Sequence, residues 1–177
     1  MTATRETARN EIAGSSFLAA AILAVLLAAP STPALAFEQG ASSVSIALGA
    51  GRQLDRDYTV ITGRYGYYFV REFEGSVALE AWRGNDPAIY KIVPELRYVY
   101  SRAFPIKPYI AGFVGRTFYQ GLSDRNSYGA KLGAYFTLNP NAHLGIGVVY
   151  ERIESCNADI YRDCRQVYSE IGLHFTF

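Results

Sequence analysis

The chain has 177 residues, which is enough for a single domain. Tyrosine (14), phenylalanine (10) and glycine (16) are abundant and half of the residues are apolar, a composition typical of β-structure. The formal net charge of +1 excludes the strongly basic surface of a nucleic-acid-binding protein, so we expect no nucleic-acid partner.

The first 36 residues have the organisation of a secretory signal peptide. Two arginines precede an uncharged apolar run at 17–29, and an Ala-Leu-Ala cleavage sequence ends at Ala36. The alternative is a transmembrane anchor, but this run of about 13 residues is shorter than the roughly 20 that a spanning helix needs. We therefore predict that residues 1–36 are removed and that 37–177 form the mature domain.

After Ala36 the sequence alternates between apolar and polar residues, and turn-forming residues separate eight such segments. No apolar repeat with the period of a helix is long enough to compete with this pattern. The predicted strands are 43–51, 58–69, 75–83, 90–101, 108–119, 127–138, 142–153 and 166–177. Because most connections are short, the strands should follow one another as an antiparallel up-and-down meander.

On most strands one face is apolar, and the other face mixes glycine, small polar and charged residues. Eight charged residues within strands, four of each sign, are assigned to the second face: Arg64, Glu80, Glu95, Arg97, Arg116, Lys131, Glu151 and Glu170. A soluble barrel has the opposite arrangement, with charge outside. The strands are also long enough for the roughly 9–11 residues that cross a bilayer at a tilt. The sequence therefore predicts an all-β, eight-stranded, closed transmembrane barrel.

The fifth strand is ambiguous, because both of its faces are largely apolar. The charge of Arg116 decides the assignment, so we expect Arg116 inside and the face with Tyr109, Ala111 and Phe113 outside.

The interior of an eight-stranded barrel is only wide enough for side chains to fill, so the inward charges should pair. If neighbouring strands supply the partners, Arg64 faces Glu80, Glu95 faces Arg116 and Lys131 faces Glu151. Inward glycines, among them Gly133 and Gly147, should leave room for these long side chains. The expected result is a plugged lumen without an open pore.

The last strand has an apolar face that ends in aromatic residues, formed by Ile171, Leu173, Phe175 and Phe177. It resembles the C-terminal strand of bacterial outer-membrane β-barrels, in which such a face is the recognition signal for the barrel-assembly machinery. The whole mature chain is similar to the eight-stranded class that includes the outer-membrane protein A transmembrane domain. The resemblance implies a monomer in the Gram-negative outer membrane. It also implies membrane lipid, lipopolysaccharide and, during insertion, the assembly machinery as partners.

Two enzyme families share this architecture, the lipid A deacylases and the lipid A palmitoyltransferases, and residues 94–112 are loosely similar to the middle of a deacylase. Acyl hydrolysis needs a nucleophile and a base within reach of each other. The deacylases carry a His-x-Ser motif for this purpose on the seventh strand, where this chain has neither residue at 148–153. We therefore predict no catalytic residue and no cofactor, and a structural or surface-interaction role. A lipid A-modifying acyl hydrolase with a divergent site, and a secreted soluble barrel, are the alternatives.

One pair of cysteines and one pair of histidines are further candidates for a functional or stabilising role. Cys156 and Cys164 lie in the longest loop and predict one disulfide in an oxidising compartment, with two free thiols as the alternative. His143 and His174 are expected as diagonal neighbours inside the barrel. Since no further metal ligand is apparent, we interpret them as hydrogen-bonded imidazoles.

Overall fold

Eight antiparallel strands follow one another around a closed barrel in sequence order. They are β1 (Ser42–Gln53), β2 (Arg56–Val70), β3 (Phe73–Arg83), β4 (Ile89–Val99), β5 (Ile106–Tyr119), β6 (Arg125–Asn139), β7 (Ala142–Ile153) and β8 (Arg165–Thr176). Each predicted strand end lies within about two residues of the observed one. The predicted fold class is confirmed.

The computed structural model describes residues 36–53, 56–85, 88–103, 105–120, 123–154 and 164–177. The predicted signal peptide, up to position 35, and Cys156 lie outside the described residues. Cleavage after Ala36 and the bridge between Cys156 and Cys164 therefore stay predictions. In the described part of the chain no helix is long and apolar enough to cross a membrane.

The first and last strands close the sheet. The backbone N–H of Ser42 donates to the carbonyl of Phe177 at 2.8 Å, and the N–H of Phe177 donates to the carbonyl of Ser42 at 2.9 Å. The barrel therefore begins and ends at the same rim, which we call the terminal end. The β2–β3, β4–β5 and β6–β7 connections also lie there. The other four connections lie at the opposite rim, the loop end.

Side chains alternate between the lumen and the outer surface along every strand, as the pleat of a sheet requires. Leucine, isoleucine, valine and aromatic residues dominate the outer surface, where Leu79 is 61% exposed and Leu132 is 66% exposed. The inner surface buries serine, threonine, glutamate, lysine and arginine. The barrel is therefore apolar outside and polar inside, and seven of the eight strands have the orientation that the sequence predicted.

The predicted orientation of β5 is wrong. Tyr109, Ala111 and Phe113 are buried in the lumen, whereas Arg116 is exposed on the outer surface. Arg116 lies near the loop end, where its Nη2 atom is 3.2 Å from the Oδ2 atom of Asp124. A cation on the outer face costs about 2–4 kcal/mol at the bilayer midplane but only about 0–1 kcal/mol near the interface. Arg116 was predicted to point inward because a cation on the outer face is costly. At its position near the loop end that cost is small, so the side chain can lie outside.

Two inward glycines explain why the lumen accommodates Tyr109. A methyl group on Gly133 would clash with the Tyr109 ring and with the carbonyl oxygen of Ile146, and one on Gly147 would clash with the Tyr109 hydroxyl. These glycines make room for an aromatic ring and not, as predicted, for long charged side chains.

Candidate functional site in the barrel lumen

The lumen is filled largely by charged side chains. Seven of the eight predicted charged residues are buried there: Arg64, Glu80, Glu95, Arg97, Lys131, Glu151 and Glu170. The sequence interpretation missed two more, Glu74 and Lys91, which are 0% and 2% exposed. Glu74 lies one residue before the predicted strand 75–83, whereas Lys91 lies within the predicted strand 90–101 on the same face as Glu95 and follows from the alternation. Within the described strands, five carboxylates and four basic side chains thus point into the lumen.

Glu95 is the centre of the largest ionic cluster. Its Oε1 atom lies 2.5 Å from Nη2 of Arg97, and its Oε2 atom lies 3.2 Å from Nζ of Lys131. Arg64 is farther away, with Nη2 at 3.7 Å from Oε2 of Glu95 and at 3.9 Å from Oε1 of Glu170. Lys131 also approaches Glu170, at 3.5 Å between Nζ and Oε2. Three bases therefore share two carboxylates in the middle of the lumen.

Arg97 links this cluster to the terminal end. Its Nε atom lies 3.9 Å from Oε2 of Glu74, and Glu74 accepts a hydrogen bond from the Ser43 hydroxyl. The guanidinium donates to the Tyr135 hydroxyl and lies 4.5 Å above the ring of Tyr109. Ionic, aromatic and hydroxyl groups together hold the Arg97 side chain in place.

A second ion pair lies nearer the loop end. The Nζ atom of Lys91 is 2.6 Å from Oε2 of Glu151 and 4.4 Å from the ring of Trp82. The indole Nε1 of Trp82 donates to Oε2 of Glu80 at 3.1 Å. Burial makes an unpaired charge expensive because the charge loses its contact with water. Each charge in this layer has a hydrogen-bonding partner or an aromatic ring against it, which reduces that cost.

None of the three predicted ion pairs forms. Lys91 on β4 reaches Glu151 on β7, and Lys131 on β6 reaches Glu95 on β4, so the partners belong to strands that are not neighbours. The Glu95–Arg116 pair fails because Arg116 lies on the outer surface. The other two predictions were wrong because they considered only adjacent strands. In so narrow a barrel the opposite walls are within reach of a single side chain.

Apolar residues close the loop end of the lumen. The indole of Trp82 packs edge-on against Tyr168 and Tyr58, with ring centroids 5.4 and 6.1 Å apart, inside a buried cluster that also contains Ile89 and Tyr119. Burial of these rings favours exclusion of water from this end.

Phe37 closes the terminal end. Its ring is 1% exposed, and its centroid lies 4.8 Å from that of His143 and 5.8 Å from that of Tyr68. The Phe37 carbonyl accepts a hydrogen bond at 2.8 Å from the backbone N–H of Glu72, which anchors the segment to the β2–β3 turn. The sequence interpretation did not anticipate this role; the available signal was a lone aromatic residue directly after the predicted cleavage site.

The two histidines lie beside Phe37. They are directly opposite one another on β7 and β8, and not diagonal as predicted. Nδ1 of His174 is 2.8 Å from the Ser45 hydroxyl, whereas neither ring nitrogen of His143 has a hydrogen-bond partner in the described structure. The expected hydrogen bond is therefore absent for His143. No group of three potential metal ligands occurs among the residues that the structure describes.

A small cavity lies among these side chains. A cavity of about 20 Å³ is lined by residues that include Arg64, Arg97, Tyr109, Glu170 and His174. A single water molecule needs about 10–15 Å³ of cavity volume. The cavity therefore has room for one water molecule and not for a substrate. Arg64 lines this cavity, and its Nε and Nη2 atoms make no hydrogen bond within the described part of the protein.

The proposed assembly signal divides between two environments. Ile171 and Leu173 are exposed on the outer surface, and Phe175 and Phe177 are half-buried at the terminal end. Its recognition by the assembly machinery stays a prediction.

No known protein-family model matches the chain, and no curated protein matches it. Solved structures do. Neisserial surface protein A (NspA) is similar with a TM-score of 0.58 and 17% identity over 77% of this chain and 96% of that one. The N-terminal β-barrel domain of Pseudomonas aeruginosa OprF has a TM-score of 0.59 and 11% identity over 78% and 98% of the two chains. The outer membrane protein OprG from Pseudomonas aeruginosa has a TM-score of 0.53 and 12% identity over 79% and 97%. The chain therefore has the fold of the small eight-stranded outer-membrane barrels.

Proposed function

We propose that the chain is a Gram-negative outer-membrane barrel with a closed lumen, which has a structural or surface-interaction role and no enzymatic activity. The observation that carries this proposal is the filling of the lumen. Ion pairs occupy its middle, and aromatic residues cover both of its ends. A protein built to conduct solutes would need a continuous polar passage, and the cavity described above has room for about one water molecule.

The outer surface supports a location in a membrane. Exposed leucine, isoleucine, valine and aromatic side chains surround the barrel and include Leu48, Val77, Leu96, Val114 and Val148. Contiguous apolar surfaces of this extent are rare on soluble monomers. The solved structures of similar fold are outer-membrane proteins, which favours the outer membrane over any other bilayer.

The Ser45–His174 contact has the composition of a nucleophile and its base, yet its position argues against lipid A hydrolysis. Both side chains are buried at the terminal end beside Phe37. The second ring nitrogen of His174 faces the Tyr68 hydroxyl at 3.4 Å, and not a carboxylate that would stabilise an imidazolium. A barrel with an even number of strands has both chain ends on the periplasmic side, so the loop end faces outside in this proposal. An outer-leaflet lipid would have to enter from the loop end, which the Trp82 cluster covers.

Two measurements test this function. After fractionation, the protein should be recovered with the outer membrane and should migrate differently on gels before and after boiling; recovery in the periplasm without detergent would contradict the membrane location. Mass spectrometry of lipid A should give the same acylation with and without the protein. A lost or gained acyl chain would establish the enzymatic alternative.

A further inference from the structure

The N-terminal segment that closes the terminal end, residues 37–41, is held in a strained backbone conformation. Phe37 has a φ of 68°, in the left-handed region that a bulky residue rarely adopts. Glu72, whose N–H donates to the Phe37 carbonyl at 2.8 Å, has the same φ. Such conformations cost free energy and persist only where the surrounding contacts impose them. The contacts of Phe37 therefore have to outweigh a backbone penalty that disappears when the segment leaves the lumen.

Two kinds of side-chain contact hold the segment in place. The Glu38 carboxylate lies 3.2 Å from Nε of Arg71, but this pair is partly exposed and is screened by solvent. The larger contribution comes from burial of the Phe37 ring, which packs against the rings of Tyr68 and Tyr135. What lies under that ring therefore determines how firmly the segment is bound.

The Phe37 ring covers polar atoms that have no partner. The ring centroids of Phe37 and His143 are 4.8 Å apart, and His143 is 1% exposed. Neither ring nitrogen of His143 makes a hydrogen bond in the described structure, and neither does Oγ1 of Thr137, which is directly opposite on β6. Burial of polar atoms without partners is costly, so water that enters on release of the ring would stabilise both side chains.

A proton on His143 would raise this cost further. The titratable or charged side chains packed around it are Lys107 on β5, Tyr135 on β6 and His174 on β8. In the described part of the chain no carboxylate forms an ion pair with His143. After the predicted cleavage, the α-ammonium of Phe37 adds a further positive charge to this region. A protonated imidazole under Phe37 would therefore be a buried cation beside other cations, without water or a carboxylate.

We propose that His143 makes the N-terminal segment an acid-released plug: when His143 takes up a proton, Phe37 leaves the lumen and water enters the terminal end. An imidazole in water takes up its proton near pH 6.5, whereas the position under Phe37 disfavours the cation. A proton that binds only the open state shifts the population toward that state. The ratio of open to closed molecules should therefore rise about tenfold between pH 8 and pH 5.5.

The plug goes beyond the proposed structural or surface role, and its release opens one end of the lumen only. The Trp82 cluster at the loop end shares no residue with the cluster around Phe37. Release of Phe37 therefore creates no passage through the barrel. It frees the N-terminal segment on the periplasmic side, a position that rests on the proposed outer-membrane location, whereas the plug itself rests only on the fold.

Hydrogen exchange of the Glu72 amide, followed by NMR on the folded, processed protein in detergent, tests the plug. The bond from this amide to the Phe37 carbonyl breaks on release, so its exchange rate divided by the unstructured-chain rate at the same pH measures the open population. We expect that ratio to rise about tenfold from pH 8 to pH 5.5 in the wild-type protein. The Phe177 amide, which pairs with Ser42 at the same rim, reports general opening of the barrel and should change by less than about twofold.

The two histidines provide a matched pair of variants, since the chain has no others. His143→Gln cannot take up the proton and should reduce the rise at Glu72 to less than about twofold, whereas His174→Gln should keep it. Phe37→Ala should give fast exchange at Glu72 at both pH values. Gel migration before and after boiling identifies the samples that are folded.

Four results would overturn the plug. They are a rise of less than about fivefold in the wild-type protein, an equal rise at Phe177, a rise that persists in His143→Gln, and slow exchange at Glu72 in Phe37→Ala. The first two need no variant, so the plug stays open to refutation even where a variant does not fold. A wild-type protein that shows no folded form contradicts the proposed function itself, whereas a folded protein without the rise contradicts only the plug.

Discussion

The Nζ atom of Lys91 lies 2.6 Å from Oε2 of Glu151, although β4 and β7 are separated by two strands on the shorter way around the barrel. Both side chains are about 1% exposed. The pair therefore ties opposite walls of the lumen together without contact with solvent, where Coulomb attraction is strong and an unpaired charge is costly.

Breaking this pair should destabilise the barrel strongly. We expect Glu151→Gln to lower the free energy of unfolding by about 3–5 kcal/mol, because it leaves the Lys91 ammonium buried without its carboxylate. The double variant Lys91→Met/Glu151→Leu should recover most of that loss. Urea unfolding followed by the fluorescence of Trp82, which is the single tryptophan and lies 4.4 Å from Lys91 Nζ, measures both.

The exposed pair of Arg116 and Asp124 provides the control. Arg116→Gln should change the free energy of unfolding by less than about 1 kcal/mol, since solvent screens an exposed pair. If Arg116→Gln and Glu151→Gln lowered the free energy of unfolding equally, the buried ion pair in the lumen would not be stronger than the exposed pair at the rim, and the interpretation would be wrong.

Gly133 should not tolerate a side chain. We expect Gly133→Ala to cost about 1–3 kcal/mol, because the new methyl group would clash with Tyr109 and with the Ile146 carbonyl. Gly112→Ala is the matched control on the outer face, where an added Cβ has no atom within 4 Å. Urea midpoints of the two variants compare them, and similar values would refute the tight contact between Gly133 and Tyr109.

The β2–β3 turn should contribute acid-sensitive stability. The Ser101 hydroxyl donates to Glu72 at 2.6 Å and, with the Ser101 N–H at 3.1 Å and the Tyr98 hydroxyl at 3.2 Å, holds the pKa of the Glu72 carboxyl below its usual range. Because the pKa is lower in the folded state, the carboxylate contributes stability above the unfolded-state pKa of about 4.3, and this contribution is lost as the pH falls through the folded-state pKa.

Ser101→Ala tests that linkage. It should destabilise the protein at pH 7 and should reduce the difference in unfolding midpoint between pH 7 and pH 3. Glu72→Gln should reduce the same difference, because it removes the titrating group. Parallel pH profiles for wild type and both variants would show that Glu72 does not contribute.

The last residue should matter for assembly. Deletion of Phe177 removes the final aromatic side chain and the backbone groups that pair with Ser42. We expect far less folded protein in the outer membrane, as judged by gel migration before and after boiling. Asn85→Ala, a change near the loop end, is the control and should insert normally. Normal insertion of the truncated chain would count heavily against the assembly-signal interpretation.

The alternation of side chains determined most of the fold in advance. It predicted strand ends to within about two residues and the orientation of every strand except β5, where both faces are apolar and Arg116 misled the assignment. The ion pairs could not be predicted in the same way. Lys91–Glu151 and Lys131–Glu95 depend on the width and stagger of the closed barrel, which local periodicity does not contain. Phe37 was missed because it lies before the first strand and inserts from the rim.

The most direct test of a closed lumen is electrical conductance across a planar lipid bilayer that contains the purified, folded mature protein, with a general porin as the positive control. Because ion pairs and aromatic rings fill the lumen, the bilayer should show no stepwise current above its own background at any applied voltage. Reproducible current steps from the wild-type protein, of uniform size and dependent on its insertion, would contradict the account.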